Sequence, residues 1–208
     1  MEKKDIIKVL TECAKLYDEN LANKNVLFIC TNPKNKNKDS LEFFEVAFKR
    51  ENFLHLTGVR VVNNKGEILK NQSDYFYKKC MAGKLGAKEF IIAGKGTTKL
   101  KLEALPMMVN IHKNAKMIGQ YDELSKVALK TDKLVGGIRV CVGFKKYKQG
   151  VYIPNTLLRE DIRNIKLNDT KVIVAIYVKG INEDKYENQT YLNKTFTHSI
   201  EIEKFSDI

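Results

Sequence analysis

The period of the apolar pattern changes along the chain, and that change limits the folds open to it. Between residues 4 and 21, Ile6, Ile7, Val9, Leu10, Cys13, Ala14, Leu16, Tyr17 and Leu21 recur at helical spacing, which predicts a leading amphipathic helix. From residue 115 onward the apolar residues fall in short runs, at 115–120, 127–131, 138–145, 150–153 and 172–179, and these read as strands. In the last run Val172, Val174, Ile176 and Val178 alternate and predict one apolar face. Between the two regimes, 26–30 reads as a buried strand, and 41–49 with 53–62 as a hairpin turning at Arg50-Glu51-Asn52. A helix capped by Ser73 follows, then a short apolar stretch at 89–93, then a helix through Leu100, Leu102 and Leu105 that Pro106 kinks or ends. Residues 155–165 carry a short helical pattern, and the polar tail has weak strand signals at 195–203. N-terminal helices followed by strands predict an α+β fold with a mainly antiparallel sheet. The expected organisation is one domain over residues 1–181, with 1–24 as its leading helix, and a polar C-terminal extension over 182–208.

The charge favours a polyanionic partner, because the 208 residues carry a formal net charge of +12. A lysine- and asparagine-rich composition also arises without selection for binding, and the charge is spread along the chain, so it does not locate a surface. Cys13, Cys30, Cys80 and Cys141 are scattered, with no CxxC pair and no histidine at ligand spacing. That argues for reduced thiols in or near the core rather than a disulfide framework or a zinc site. No apolar run approaches the roughly 18 residues of a membrane span. The mixed charges of residues 1–5 do not resemble a secretion signal, so the expected compartment is the cytoplasm.

Most motifs fail on spacing. Gly94-Lys95-Gly96-Thr97-Thr98-Lys99 lacks the upstream glycine of a phosphate loop, although its free N–H groups could hold one phosphate or simply cap a helix. The acidic pairs Asp122-Glu123 and Glu160-Asp161 are sequence neighbours whose side chains point apart, so no two-metal centre, metal ligand set or cofactor site is predicted. Phosphodiester chemistry would then rest on His, Lys, Arg, Tyr and Thr. Read as a strand, residues 53–59 place His55 and Thr57 together on one face, either as a base with a polar partner or as an ordinary sheet histidine. Tyr177 and Lys179 share one face of the 172–179 strand, where they could bind phosphate and donate a proton, or cover the sheet with their stems. Thr131-Asp132-Lys133 and Tyr152-Ile153-Pro154-Asn155-Thr156 lie at predicted strand ends. The stretch from Arg139 through Lys145 to Lys179 interleaves basic residues with Phe144, Tyr147, Tyr152 and Tyr177. That suits single-stranded nucleic acid, as it would any solvated basic sheet.

Asn52-Phe53-Leu54-His55-Leu56-Thr57-Gly58-Val59, Phe76-Tyr77, Thr98-Lys99-Leu100, Thr131-Asp132-Lys133, Tyr152 to Leu158 and Tyr177-Val178-Lys179 together carry a resemblance. Over roughly residues 41–179 the chain resembles the phage-associated fourth branch of the barnase/EndoU/colicin/RelE-like nuclease superfamily. The resemblance implies a barnase/RelE-like α+β fold, with helical elements ahead of an antiparallel sheet. It implies metal-independent cleavage of RNA, often tRNA or ribosome-bound message, through attack of a ribose 2′-OH. It makes His55 the acid or base, with Thr57, Tyr177 and Lys179 as its catalytic companions. Lys99 and Thr131 would contact phosphate, and Thr98, Lys133, Arg139 and Lys145 extend that basic surface. The implied partners are RNA and a protein antitoxin or host factor. A catalytically silent RNA- or protein-binding module of a mobile element is the alternative. An ADP-ribosyl-type transferase ranks below both, because no acidic residue ends the 172–179 strand.

Overall fold

A computed structural model describes residues 1–33, 41–92, 96–125, 129–148, 150–196 and 200. The chain runs α1 (Lys3–Asn20), β1 (Lys24–Thr31), β2 (Leu41–Phe48), α2 (Asn52–Thr57), β3 (Val59–Val61), α3 (Ser73–Met81), β4 (Phe90–Ile92), α4 (Thr97–Met108) and α5 (Ile111–Asn114). It continues with β5 (Met117–Tyr121), β6 (Lys133–Gly136), β7 (Cys141–Lys146), β8 (Tyr152–Leu158), a 3₁₀ turn (Ile162–Asn164), β9 (Leu167–Gly180) and β10 (Asn188–Leu192). The helical period of the N-terminus is borne out: α1 buries Ile6, Leu10, Cys13, Ala14 and Tyr17 as one stripe. The Glu2 N–H donates to the Asp5 carboxylate and closes its first turn.

The fold is α+β, but the sheet is not the open barnase-like one. Its strands follow the order β1-β2-β8-β7-β6-β5-β9, and β9 pairs back onto β1, which closes a seven-stranded barrel. The physical cause is the length of β9. Its first part pairs with β5 and its second with β1, so neither edge of the sheet is left bare. All joins in the ring are antiparallel except β2–β8, a parallel contact with one register pair, Val46↔Tyr152. A small second sheet pairs β3 with β4.

Two local expectations fail for identifiable reasons. The 41–49/53–62 hairpin does not form. β2 pairs with β1 instead, and 52–57 is a helix. Phe53, Leu56 and Thr57 are its buried residues, at i, i+3 and i+4, and Gly58 ends it at φ 74°. In β9 the alternation breaks at a bulge opposite Ile29/Cys30. Ile173 therefore joins Ile176 and Val178 in the main core, while Val174 falls on the other face with Ala175 and Tyr177. Strand β6 begins where only a strand end was predicted. The phosphate-loop residues 93–95, and most of the 195–203 strand signal, lie outside the described residues.

The register fixes two ends of the barrel. Thr31, Glu42, Gln120, Lys133, Lys146 and Tyr152 lie at one end, with the start of β9. Lys24, Phe48, Met117, Gly136, Cys141, Leu158 and Gly180 lie at the other, where α2 follows Phe48. Helices α1 to α5 pack with the ring into one main core. Residues past 181 belong to the same body: β10 pairs with β9, and Tyr186 is buried with its hydroxyl donating to Glu45 (2.6 Å). Among the described residues no helix is long and apolar enough to cross a membrane.

His112 in α5 faces this C-terminal seam, where the Thr190 hydroxyl donates to its carbonyl. Its side chain is 3% exposed and Nδ1 lacks a hydrogen bond. Burial, with Lys113 and Lys24 nearby, pushes its pKa from 6.5 down to about 4. The unfolded chain therefore takes up a proton that the folded chain refuses, and stability falls as pH drops from 6.5 toward 4. The expected contribution is about 1.4 kcal/mol per pH unit within that window. Urea unfolding of wild type and His112→Gln across it checks this: the variant should lose the extra slope.

Candidate active site at one end of the barrel

The open end gathers charged side chains on strands that are far apart in sequence. Glu42 sits in phase with Phe44, Val46 and Phe48 on the core-facing side of β2. Lys171 sits two residues before the core residue Ile173 on β9. Its Nζ donates to Glu42 and to Asp169, each at 2.6 Å, with its own side chain 10% exposed. Burial opposes its charge, but the two carboxylates outweigh that and hold the ammonium above its usual pKa. Asp169 adopts φ 47°, a left-handed conformation that aspartate tolerates. Cys30 forms part of the floor, its thiol pushed up to about 12 by burial and therefore protonated.

Lys133 enters the same depression from β6. Its Nζ lies 5.1 Å from the Phe44 ring and 5.6 Å from the Tyr152 ring, and those two rings pack at 4.5 Å. Burial, reinforced by Asp132, raises the Tyr152 pKa and keeps its hydroxyl a donor. The strand end is braced: the Thr131 hydroxyl donates to the Phe144 carbonyl (3.0 Å), and the Lys146 N–H donates to Asp132 (2.7 Å). The arrangement provides one carboxylate able to accept a proton, two ammonium groups and one phenol. Among the described residues no group of three or more His, Cys, Asp or Glu side chains gathers to hold a metal ion.

The residues singled out from sequence scatter. His55 is an exposed residue of α2 at the far end of the barrel, not a strand residue. Thr57 is fully buried, and its hydroxyl donates to the Leu54 carbonyl and accepts from the Val59 N–H, so it caps the helix and faces no ligand. Tyr177 and Lys179 lie on the outer face of β9, turned away from the core side on which α2 packs. The Tyr177 hydroxyl accepts from Gln189, and Lys179 donates to the Asp184 carbonyl while lying over the Tyr186 ring, so both hold the C-terminal segment. The structure therefore does not assemble His55 with Tyr177 and Lys179. Thr98 is buried and donates to the Gly58 carbonyl, which leaves the helix-cap reading, and Lys99 is exposed on α4. Arg139 lies at the α2 end, in a groove with Arg159 and Asp161. Lys145 is exposed on β7, next to the open end. Only Thr131 and Lys133 stand at the cluster itself.

Glu42, Lys171 and Tyr152 were missed as a set. Each of the first two carried a readable signal, a charge in phase with the apolar face of a strand, which is rare unless the charge is paired or used.

A family model described as phage-Barnase-EndoU-ColicinE5/D-RelE like nuclease4 matches residues 9–195. No curated protein and no solved structure shows significant similarity to the chain.

Proposed function

Since the chain belongs to the phage-Barnase-EndoU-ColicinE5/D-RelE like nuclease 4 family, we propose that it is an endoribonuclease that cleaves by 2′-OH transesterification at the open end of the barrel. The observation that carries this reading is Lys171, a buried lysine held by two carboxylates in a depression that also contains Lys133. Glu42 takes the proton of a ribose 2′-OH. The resulting O2′ attacks the adjacent phosphorus, and the P–O5′ bond breaks. Lys133 and Lys171 neutralise the charge that develops on the non-bridging oxygens. The Tyr152 hydroxyl gives its proton to the departing O5′. The products are a 2′,3′-cyclic phosphate and a 5′-hydroxyl, and DNA, lacking the 2′-OH, is not a substrate.

This chemistry asks nothing of a metal ion. Incubating the protein with RNA and with DNA of the same sequence in excess chelator tests it. RNA should yield cyclic phosphate ends while DNA stays intact. Cleavage that chelator stops, or that treats both polymers alike, contradicts it. The phage and RelE relationships in the family's description support a toxin-like role in the cytoplasm, acting on tRNA or ribosome-bound message and countered by a protein antitoxin or host factor.

A second location is kept for one reason: His55 is an exposed imidazole with no hydrogen-bond partner for its ring among the described residues. It stands apart from the open end, so single substitutions at the two places separate the readings.

A further inference from the structure

A groove at the α2 end of the molecule is lined by Leu54, His55, Arg60, Ile68, Leu69 and Lys70, among others. No aspartate or glutamate lines it. The other four depressions described each include at least one carboxylate, at Glu160, Glu183, Glu42 and Asp18 respectively. Arg60 and Lys70 are exposed, and neither side chain makes an ion pair or hydrogen bond among the described residues. Lys101 adds a third ammonium nearby, where it donates to the His55 carbonyl (3.3 Å). The apolar part of the wall is also uncovered, with Ile68 50% and Leu69 38% exposed. Backbone bonds set this wall in place: Ile68 bridges to Val62, and the Leu69 N–H donates to the Val61 carbonyl (2.9 Å).

We infer that this groove is a second contact surface for single-stranded RNA, separate from the centre of cleavage. Unpaired cations without a neighbouring carboxylate suit phosphates, and the bare aliphatic wall between them suits unstacked bases. Its place at the opposite end from Glu42 and Lys133 sets the length requirement. Only an RNA long enough to run along the body reaches both, so the groove adds affinity for long RNA and nothing for a dinucleotide. The inference rests on the proposed function for the identity of the polyanion alone.

The test compares wild type with the Arg60→Ala/Lys70→Ala double variant, whose altered positions are both exposed. One arm measures binding of an uncleavable 2′-O-methyl RNA of about 16 nucleotides, the upper site size of a single-strand-binding fold, as a function of salt. The other measures kcat/KM on a cleavable dinucleotide. The double variant should bind the long RNA at least about tenfold more weakly at low salt, with a log–log salt slope reduced by roughly 1.4 for two lost phosphate contacts. Dinucleotide cleavage should not change. Unchanged long-RNA affinity and slope would overturn the inference. Parallel loss of dinucleotide cleavage would overturn it too, by making the groove the cleavage centre. So would a polyglutamate peptide of equal charge that binds there more tightly than the RNA does. If wild type cleaves no RNA at all, the proposed function falls, and the binding arm still decides the groove.

Discussion

Replacing Glu42 by Gln is expected to slow RNA cleavage by roughly 10²- to 10⁴-fold, the share usually carried by one positioned proton-transfer group. Gln keeps the shape of the side chain, and its carbonyl oxygen still accepts from Lys171, but it cannot take the 2′-OH proton. Glu42 is about half exposed and sits on a strand whose core contacts come from Phe44, Val46 and Phe48, so the fold should be retained. Affinity for an uncleavable RNA should hold, because the lysines that meet phosphate are untouched. Single-turnover rates with short RNA check the claim. A Glu42→Gln enzyme within threefold of wild type would remove Glu42 from the mechanism.

Phe53→Ala is expected to be the more damaging change to stability. The Phe53 ring is fully buried, with centroids 5.2 Å from Tyr17, 5.6 Å from Tyr77 and 6.3 Å from Phe76. Truncating a phenylalanine in such a setting costs about 3–5 kcal/mol, from lost transfer free energy and the cavity left behind. In a chain of this size that lowers the melting temperature by on the order of 10 °C. His55→Ala, two positions along the same helix but exposed, should stay within about 0.5 kcal/mol of wild type. Urea midpoints at unchanged m-value measure both. A Phe53→Ala protein destabilised by less than about 1 kcal/mol would contradict the helical packing of this segment.

That pair of residues shows where sequence reasoning reached and where it stopped. Alternation assigned Leu54 and Leu56 to one face of a strand, yet burial follows Phe53, Leu56 and Thr57. The stop signal of a helix, Gly58, stood directly behind them. Elements with a long, uniform period were legible: α1, α3, β1 and most of β9 fall where their patterns predict. Closure of the barrel was not, because it depends on β9 pairing with strands more than a hundred residues earlier, and no local pattern encodes a partner. β10 was hidden for a related reason: its half-exposed polar residues carry no alternation, and it is held by pairing with β9. Lys133 and Thr131 were found because strand ends can be read from turn residues. Glu42 and Lys171, 129 positions apart, form no motif and meet only in the closed barrel. Tyr177 and Lys179 were correctly placed on one face, but the bulge and the C-terminal segment turn that face into an interior seam.

The central claim is that cleavage takes place at the open end of the barrel and not beside His55. Its most direct measurement is the single-turnover cleavage of one short RNA, in excess chelator, by wild type, Glu42→Gln and His55→Ala in parallel. The account predicts cyclic phosphate product from wild type and from His55→Ala at similar rates, and a loss of roughly 10²-fold or more in Glu42→Gln. A full rate in Glu42→Gln together with an inactive, folded His55→Ala would contradict it and move the active site to the other end of the molecule.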